Sequence, residues 1–276
     1  MEDKKFDIII IAGQSNAEGN GVREADAGET INDNVFHLID KNSVSLHDNE
    51  KGETVLDIKM PVETLLEVAH ERKVGDRFAA DFSETFADEY IKGGNLQEGR
   101  SVLLVKAAVG GTGFAKKQWG VGKPLSDRLF QMVDRALSLN GENRIVALLW
   151  HQGEHDAFEN VDLNEKERYD FYHKNLFEQL NAVRERYSAF DFPIIAGKFA
   201  SSWKWGAQNK EKIEAIYTAT SDVLNELGNS GYVSSEGLKS NDEAIGNGDD
   251  IHFCAESVRE LGKRYYKTFE SLSTGK

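Results

Sequence analysis

Basic charge is scarce in this chain: 33 Lys and Arg stand against 47 Asp and Glu over 276 residues, a formal net charge of −14. The basic residues are scattered among acidic ones, which excludes the clustered cationic face that tracks nucleic-acid phosphates. Long apolar runs are missing too. The longest, IIIIA ending at Ala12 and VALLW ending at Trp150, fall far short of the roughly 20 residues that span a bilayer, so no membrane partner is expected. The opening MEDKKFD mixes both charges and runs directly into Ile8, without the basic region and small-residue cleavage site of a secretory leader. The expectation is a cytoplasmic protein, with secretion after trimming of a leader as the alternative. Cysteine is nearly absent: Cys254, beside Phe253, is the single one. It has no intrachain disulfide partner, and it reads as a small core residue and not as a nucleophile.

What is present describes an ordinary globular protein. Hydrophobic residues make up 39% and charged residues 29% of the chain, far from the composition of disordered segments. Five Ile- and Val-rich runs, at 6–12, 101–107, 144–150, 192–199 and 231–235, are continuous and not alternating, as expected of strands buried on both faces of a parallel sheet. Between them lie segments of helical period: Phe78, Phe82, Phe86 and Tyr90; Leu125 to Ala136; Tyr169 to Tyr187; Ile213 to Leu227; and Ser257 to Leu272. Glycines at 93–94, 141 and 228 punctuate their ends. Strand alternating with helix predicts a doubly wound α/β fold with a mostly parallel five-stranded sheet, read as one domain over 1–276. The stretch 41–76 interrupts the pattern. It is polar, acidic and broken by Asn49, Gly52, Pro61 and Gly75, and it predicts a surface excursion carrying a short helix at Val62–His70.

In such folds ligands bind beyond the carboxyl ends of the strands. The first run is followed by AGQSNAEG with Ser15 on a Gly-flanked turn, the second by VGGTG with Gly110 and Gly111, and the third by WHQGEHD with Gln152, Glu154 and Asp156. Near the C-terminus GDDIHF sets Asp249 three residues before His252. Singly, each has an ordinary reading as a turn, a loop or a helix cap. Together they supply a hydroxyl nucleophile, a base with a carboxylate, backbone donors and a side-chain amide, the parts that acyl transfer requires.

GQSNAEG, GGTG, WHQGEHD and DDIH, in that order, resemble the blocks of the SGNH hydrolase superfamily, within it the branch of sialate O-acetylesterases and family 6 carbohydrate esterases, which includes acetylxylan esterases. The four blocks span 13–252, nearly the whole chain. The resemblance implies a flavodoxin-like three-layer α/β/α sandwich and a serine esterase that removes O-acetyl groups from a small carbohydrate through an acyl-enzyme. It implies no metal or organic cofactor. By it Ser15 is the nucleophile, His252 the general base and Asp249 its partner. The oxyanion hole would be the Ser15 amide, a Gly110 or Gly111 amide and the Gln152 side chain, with Gln14, Asn16 and Glu154 in support.

The chemistry agrees with those roles. A serine hydroxyl needs a base to take its proton as it attacks, and a carboxylate on the second imidazole nitrogen fixes the tautomer. Asp250, two positions from His252, should point elsewhere. Two other readings compete. HQGEH also fits the HxxEH pattern of a zinc hydrolase, with His151 and His155 as ligands and Glu154 as base, although that needs a helix where RIVALLW predicts a strand and Gly153 follows. Alternatively the fold is a non-catalytic sugar binder, using Trp119, Trp203 and Trp205 as exposed stacking platforms.

Overall fold

Ile8, Ile9, Ile10 and Ile11 are all fully buried, and alternate ones belong to different cores. A strand with an apolar layer on each face has no polar side to show, which is why the run does not alternate. The computed structural model describes residues 4–24, 32–48, 54–159 and 162–274. Its strands are β1 (Lys5–Gly13), β2 (Gly21–Arg23), β3 (Val35–Asp40), β4 (Val44–Asp48), β5 (Thr54–Ile58), β6 (Thr64–Val68), β7 (Arg72–Val74), β8 (Arg77–Ala80), β9 (Arg100–Lys106), β10 (Arg144–His151), β11 (Ile194–Gly197) and β12 (Ser230–Val233). The helices are α1 (Ser15–Glu18), α2 (Phe82–Lys92), α3 (Pro124–Ser138), α4 (Glu154–Glu159), α5 (Glu165–Arg186), α6 (Lys204–Gln208), α7 (Lys210–Leu227), α8 (Asn241–Ile245) and α9 (Ala255–Thr274).

The central sheet runs β12-β11-β10-β1-β9-β3-β6. The pairs from β12 through β3 are parallel, and β6 closes the edge antiparallel to β3. Ile8 and Ile10 pack with Leu125 and Leu129 of α3, Leu176 and Leu180 of α5 and Ile216 of α7 on one face. Ile9 and Ile11 pack with Phe82 and Phe86 of α2 and Leu261 and Tyr265 of α9 on the other. The result is the expected three-layer sandwich, its helices started by local signals: Asp81 accepts the Ser83 and Glu84 amides at the head of α2, and Asn164 forms a capping box with Glu167 on α5.

All five predicted strands are present, but the sheet has seven. Of the two extra strands, one precedes the stretch read as an excursion and the other lies within it. β3 was not predicted, and the helix expected at Val62–His70 is instead β6, paired to β3 from Phe36↔Val68 to Asp40↔Thr64. Asn49 and Gly52 lie outside the described residues. A three-stranded sheet β2-β8-β7 and the hairpin β4-β5 complete the fold; Phe78, expected in helix, sits in β8. Cys254 is buried in the core. Among the described residues no helix is long and apolar enough to cross a membrane.

Candidate active site

The chain turns sharply where β1 ends. Gly13 has φ +132°, and a Cβ there would sit 2.1 Å from the His151 carbonyl oxygen, so only glycine lets β1 and β10 approach this closely. Gln14 then holds extended backbone and Ser15 opens α1. As the first residue of a helix, Ser15 has an amide with no intrahelical acceptor. Asn16 ties this turn to two other blocks: its side-chain amide donates to Glu154 Oε1 at 2.8 Å and the Ile251 carbonyl at 3.2 Å, and its oxygen accepts the Phe253 amide at 3.3 Å.

Asp249 and His252 meet as the spacing predicted. Nδ1 of His252 lies 2.9 and 3.0 Å from the two Asp249 oxygens, and the His252 amide also donates to Oδ1 at 3.3 Å. Burial opposes ionisation of Asp249, but bonds from His252 and the Asn241 side chain outweigh it and hold the carboxyl below the usual carboxylate range. Asn241, fully buried at the start of α8, was not a candidate from sequence; it donates to Asp249 Oδ2 at 2.9 Å. Asp250 faces away, accepting the Lys204 amide at 3.1 Å.

Ser15 and His252 line one cavity of about 440 Å³, with Gln14, Gly111, Glu154, His155, Phe158, Trp203, Trp205 and Ile251. Its outer wall is aromatic: Trp203 stacks on Trp205 with centroids 4.9 Å apart, and Phe158 meets Trp205 edge-on at 5.5 Å. Trp119 does not share this wall. It is 1% exposed and its indole N–H donates to Thr112 Oγ1 at 3.0 Å, so it is core packing beneath the GGTG loop and not a platform.

The four blocks are knitted by bonds that also decide which donors are free. The Gly110 amide donates to Glu18 Oε2 at 3.0 Å. Gly111, at φ +66°, lines the cavity, and its amide has no acceptor among the described residues. Gln152 is occupied: its nitrogen lies 2.7 Å from Asp156 Oδ2, 3.2 Å from the Thr112 carbonyl and 3.3 Å from Gln14 Oε1, while the Tyr172 hydroxyl lies 2.7 Å from its main-chain carbonyl and 3.0 Å from its side-chain oxygen. Asp156, fully buried, also accepts the Phe114 and Ala115 amides, so it clamps the GGTG loop to the QGE block.

The two histidines of HxxEH do not converge, although His151 Nε2 lies 3.9 Å from Glu154 Oε1. His151 ends β10 and bonds Tyr265 through Nδ1, and burial pushes its pKa down to about 3. His155 lies on α4 with Nε2 3.8 Å from Glu159. The group of potential ligands that does come together among the described residues is a different one, His37, Asp81 and Glu84, where Lys106 already pairs with Asp81. Glu154 accepts from Asn16 and is pushed up by burial, as befits a residue that holds the loop.

This three-layer architecture is shared with a solved carbohydrate acetylesterase. A model of carbohydrate esterases described as sialic acid-specific acetylesterases matches residues 5–271, and the chain belongs to that family. It is accordingly a carboxylic ester hydrolase that removes O-acetyl groups from carbohydrates. The solved structure of NanS superposes with a TM-score of 0.72 at 17% identity, covering 99% of each chain. A carbohydrate acetylesterase from Xanthomonas citri superposes with a TM-score of 0.61 at 15% identity, over 98% of this chain and 57% of that one. These likenesses concern the fold. No curated protein matches the chain in sequence.

Proposed function

We propose that the O-acetyl group is removed by a serine mechanism in which Ser15, His252 and Asp249 form the triad on one catalytic domain. The carbohydrate acetyl ester enters the cavity with its carbonyl carbon against Ser15 Oγ. His252 holds a proton on Nδ1 for Asp249, which leaves Nε2 as the acceptor for the hydroxyl proton as Oγ attacks. The proton passes to the departing sugar oxygen, the C–O bond breaks, and acetyl-Ser15 remains. Water then adds by the same route in reverse, and acetate leaves. The negative charge on the carbonyl oxygen in both steps falls to the Ser15 and Gly111 amides, since the Gly110 amide is spent on Glu18.

The observation that carries this reading is that His252, held through Nδ1 by both Asp249 oxygens, shares a cavity wall with Ser15. Its test is a fluorophosphonate probe followed by peptide mass mapping: the adduct should sit on Ser15, form slowly in His252→Ala and not form in Ser15→Ala. Labelling elsewhere with loss of activity would overturn it. The aromatic wall fits a small acetylated sugar whose apolar ring face stacks on Trp205 and Phe158.

A further inference from the structure

Gln14, the residue before the proposed nucleophile, has a side chain that is 3% exposed and yet lines the cavity with Ser15, Gly111 and His252. Its amide is fixed in orientation. Oε1 accepts the backbone N–H of His155 at 3.1 Å and of Gly153 at 3.3 Å, and the Gln152 nitrogen also lies 3.3 Å from it. Two backbone donors can face only an oxygen, so the nitrogen must take the other side. That nitrogen donates to nothing among the described residues, and it is not among the buried polar atoms left without a partner. It is therefore the side-chain amide presented to the cavity.

Gln152 is in the opposite condition. Its two N–H groups face three acceptors, its oxygen shares the Tyr172 hydroxyl with its own main-chain carbonyl, and it is not on the cavity wall. Turning it toward a substrate would strip Asp156 and the Thr112 carbonyl of a donor in a fully buried setting.

We infer that Gln14 Nε2, and not Gln152 Nε2, is the side-chain donor to the substrate carbonyl oxygen, completing with the Ser15 and Gly111 amides a three-donor oxyanion hole. Gln152 is then a positioning residue: through Gln14 Oε1 on one side and Asp156 on the other, it sets where the Gln14 amide points. The assignment rests on Ser15 being the nucleophile.

The test compares Gln14→Glu, Gln14→Leu, Gln152→Leu and Ser15→Ala in acetate release from p-nitrophenyl acetate and a defined sugar acetate, with a melting curve for each. Gln14→Glu keeps an oxygen for the Gly153 and His155 amides but removes the donor, and Gln14→Leu removes it without adding charge. Both should lose about 10²–10³ in kcat with KM little changed, the size of one oxyanion donor. Gln14→Glu should melt like the wild type. Gln152→Leu should lose melting temperature and less kcat than either. A near-wild-type kcat in either Gln14 variant, or a larger kcat loss in a Gln152→Leu protein of unchanged melting temperature, overturns the assignment. Failure of the underlying reading has its own sign: Ser15→Ala would retain turnover.

Discussion

Asp249 meets Nδ1 of His252 with both carboxylate oxygens, at 2.9 and 3.0 Å, while its neighbour Asp250 turns to the Lys204 amide at 3.1 Å. Adjacent acidic residues thus have unrelated environments. Asp249→Ala should lower kcat by about 10⁴, the cost of losing the tautomer and the imidazolium partner. His252→Ala should be at least as severe. Asp250→Ala should stay within about tenfold of wild type, because only a loop bond is lost. Steady-state kinetics on the three purified variants decides it, and a larger loss at Asp250 than at Asp249 would reverse the assignment.

That spacing was legible because three residues on a turn bring two side chains together whatever surrounds them. The strands at 6–12, 101–107 and 144–150 were legible for a similar reason: burial on both faces leaves a continuous apolar run. β6 carried no such mark. It lies at the sheet edge with Leu65 44% and Val68 39% exposed on opposite faces, so its apolar residues form no buried run and mimic a helical period with Val62, Leu66 and Ala69. β3 was hidden by His37 and Asp40, polar residues inside a strand whose partners lie elsewhere in the chain: Glu84 near His37 and Arg128 against Asp40.

Residue types at the site were readable, but not which of their hydrogens are free. Gln152 and Gln14 have the same amide. Their difference comes from Thr112 and Tyr172, 40 and 20 residues away from Gln152, and from the backbone of Gly153 and His155 against Gln14. The same limit applies to Trp119, whose burial depends on Thr112 and Trp150 and not on its own sequence neighbours.

Ser15→Ala should abolish acetyl-ester turnover and leave the melting temperature nearly unchanged, because no side-chain bond from its hydroxyl supports the fold among the described residues. EDTA should leave wild-type activity intact, since His151 and His155 point to different partners. Turnover retained by Ser15→Ala, or lost to EDTA and restored by zinc, would favour a metal mechanism.

The aromatic wall should act on the alcohol part of the substrate. Trp205→Ala removes the indole that stacks on Trp203 and meets Phe158. It should raise KM for a sugar acetate by about 2- to 10-fold, the value of one aromatic contact, with kcat on p-nitrophenyl acetate little changed. An equal loss on both substrates would mean that Trp205 shapes the triad's surroundings and does not bind the sugar.

Asp156 gives the protein a pH signature. Burial pushes its carboxyl up to about 6 from an ordinary 3.8, against the bonds from Ala115, Phe114 and Gln152 that favour the charged form. Its folded value lies above its unfolded one, so between those limits the folded chain holds a proton that the unfolded chain has released. The stability this proton contributes is fully present below 3.8 and is lost as pH rises through about 6. Asn cannot titrate, so Asp156→Asn removes the dependence whatever constant offset it adds. Wild-type stability relative to the variant should therefore fall as pH rises from about 4 to about 6, by at most about 1.4 kcal/mol per unit, and level off near pH 7. His151, neutral and buried with the opposite sign, is present in both proteins and cancels in the difference. Urea unfolding of the two proteins across that range measures it. Parallel curves would mean that Asp156 is ionised throughout, held by its three donors, and that the clamp between the GGTG loop and the QGE block is insensitive to pH.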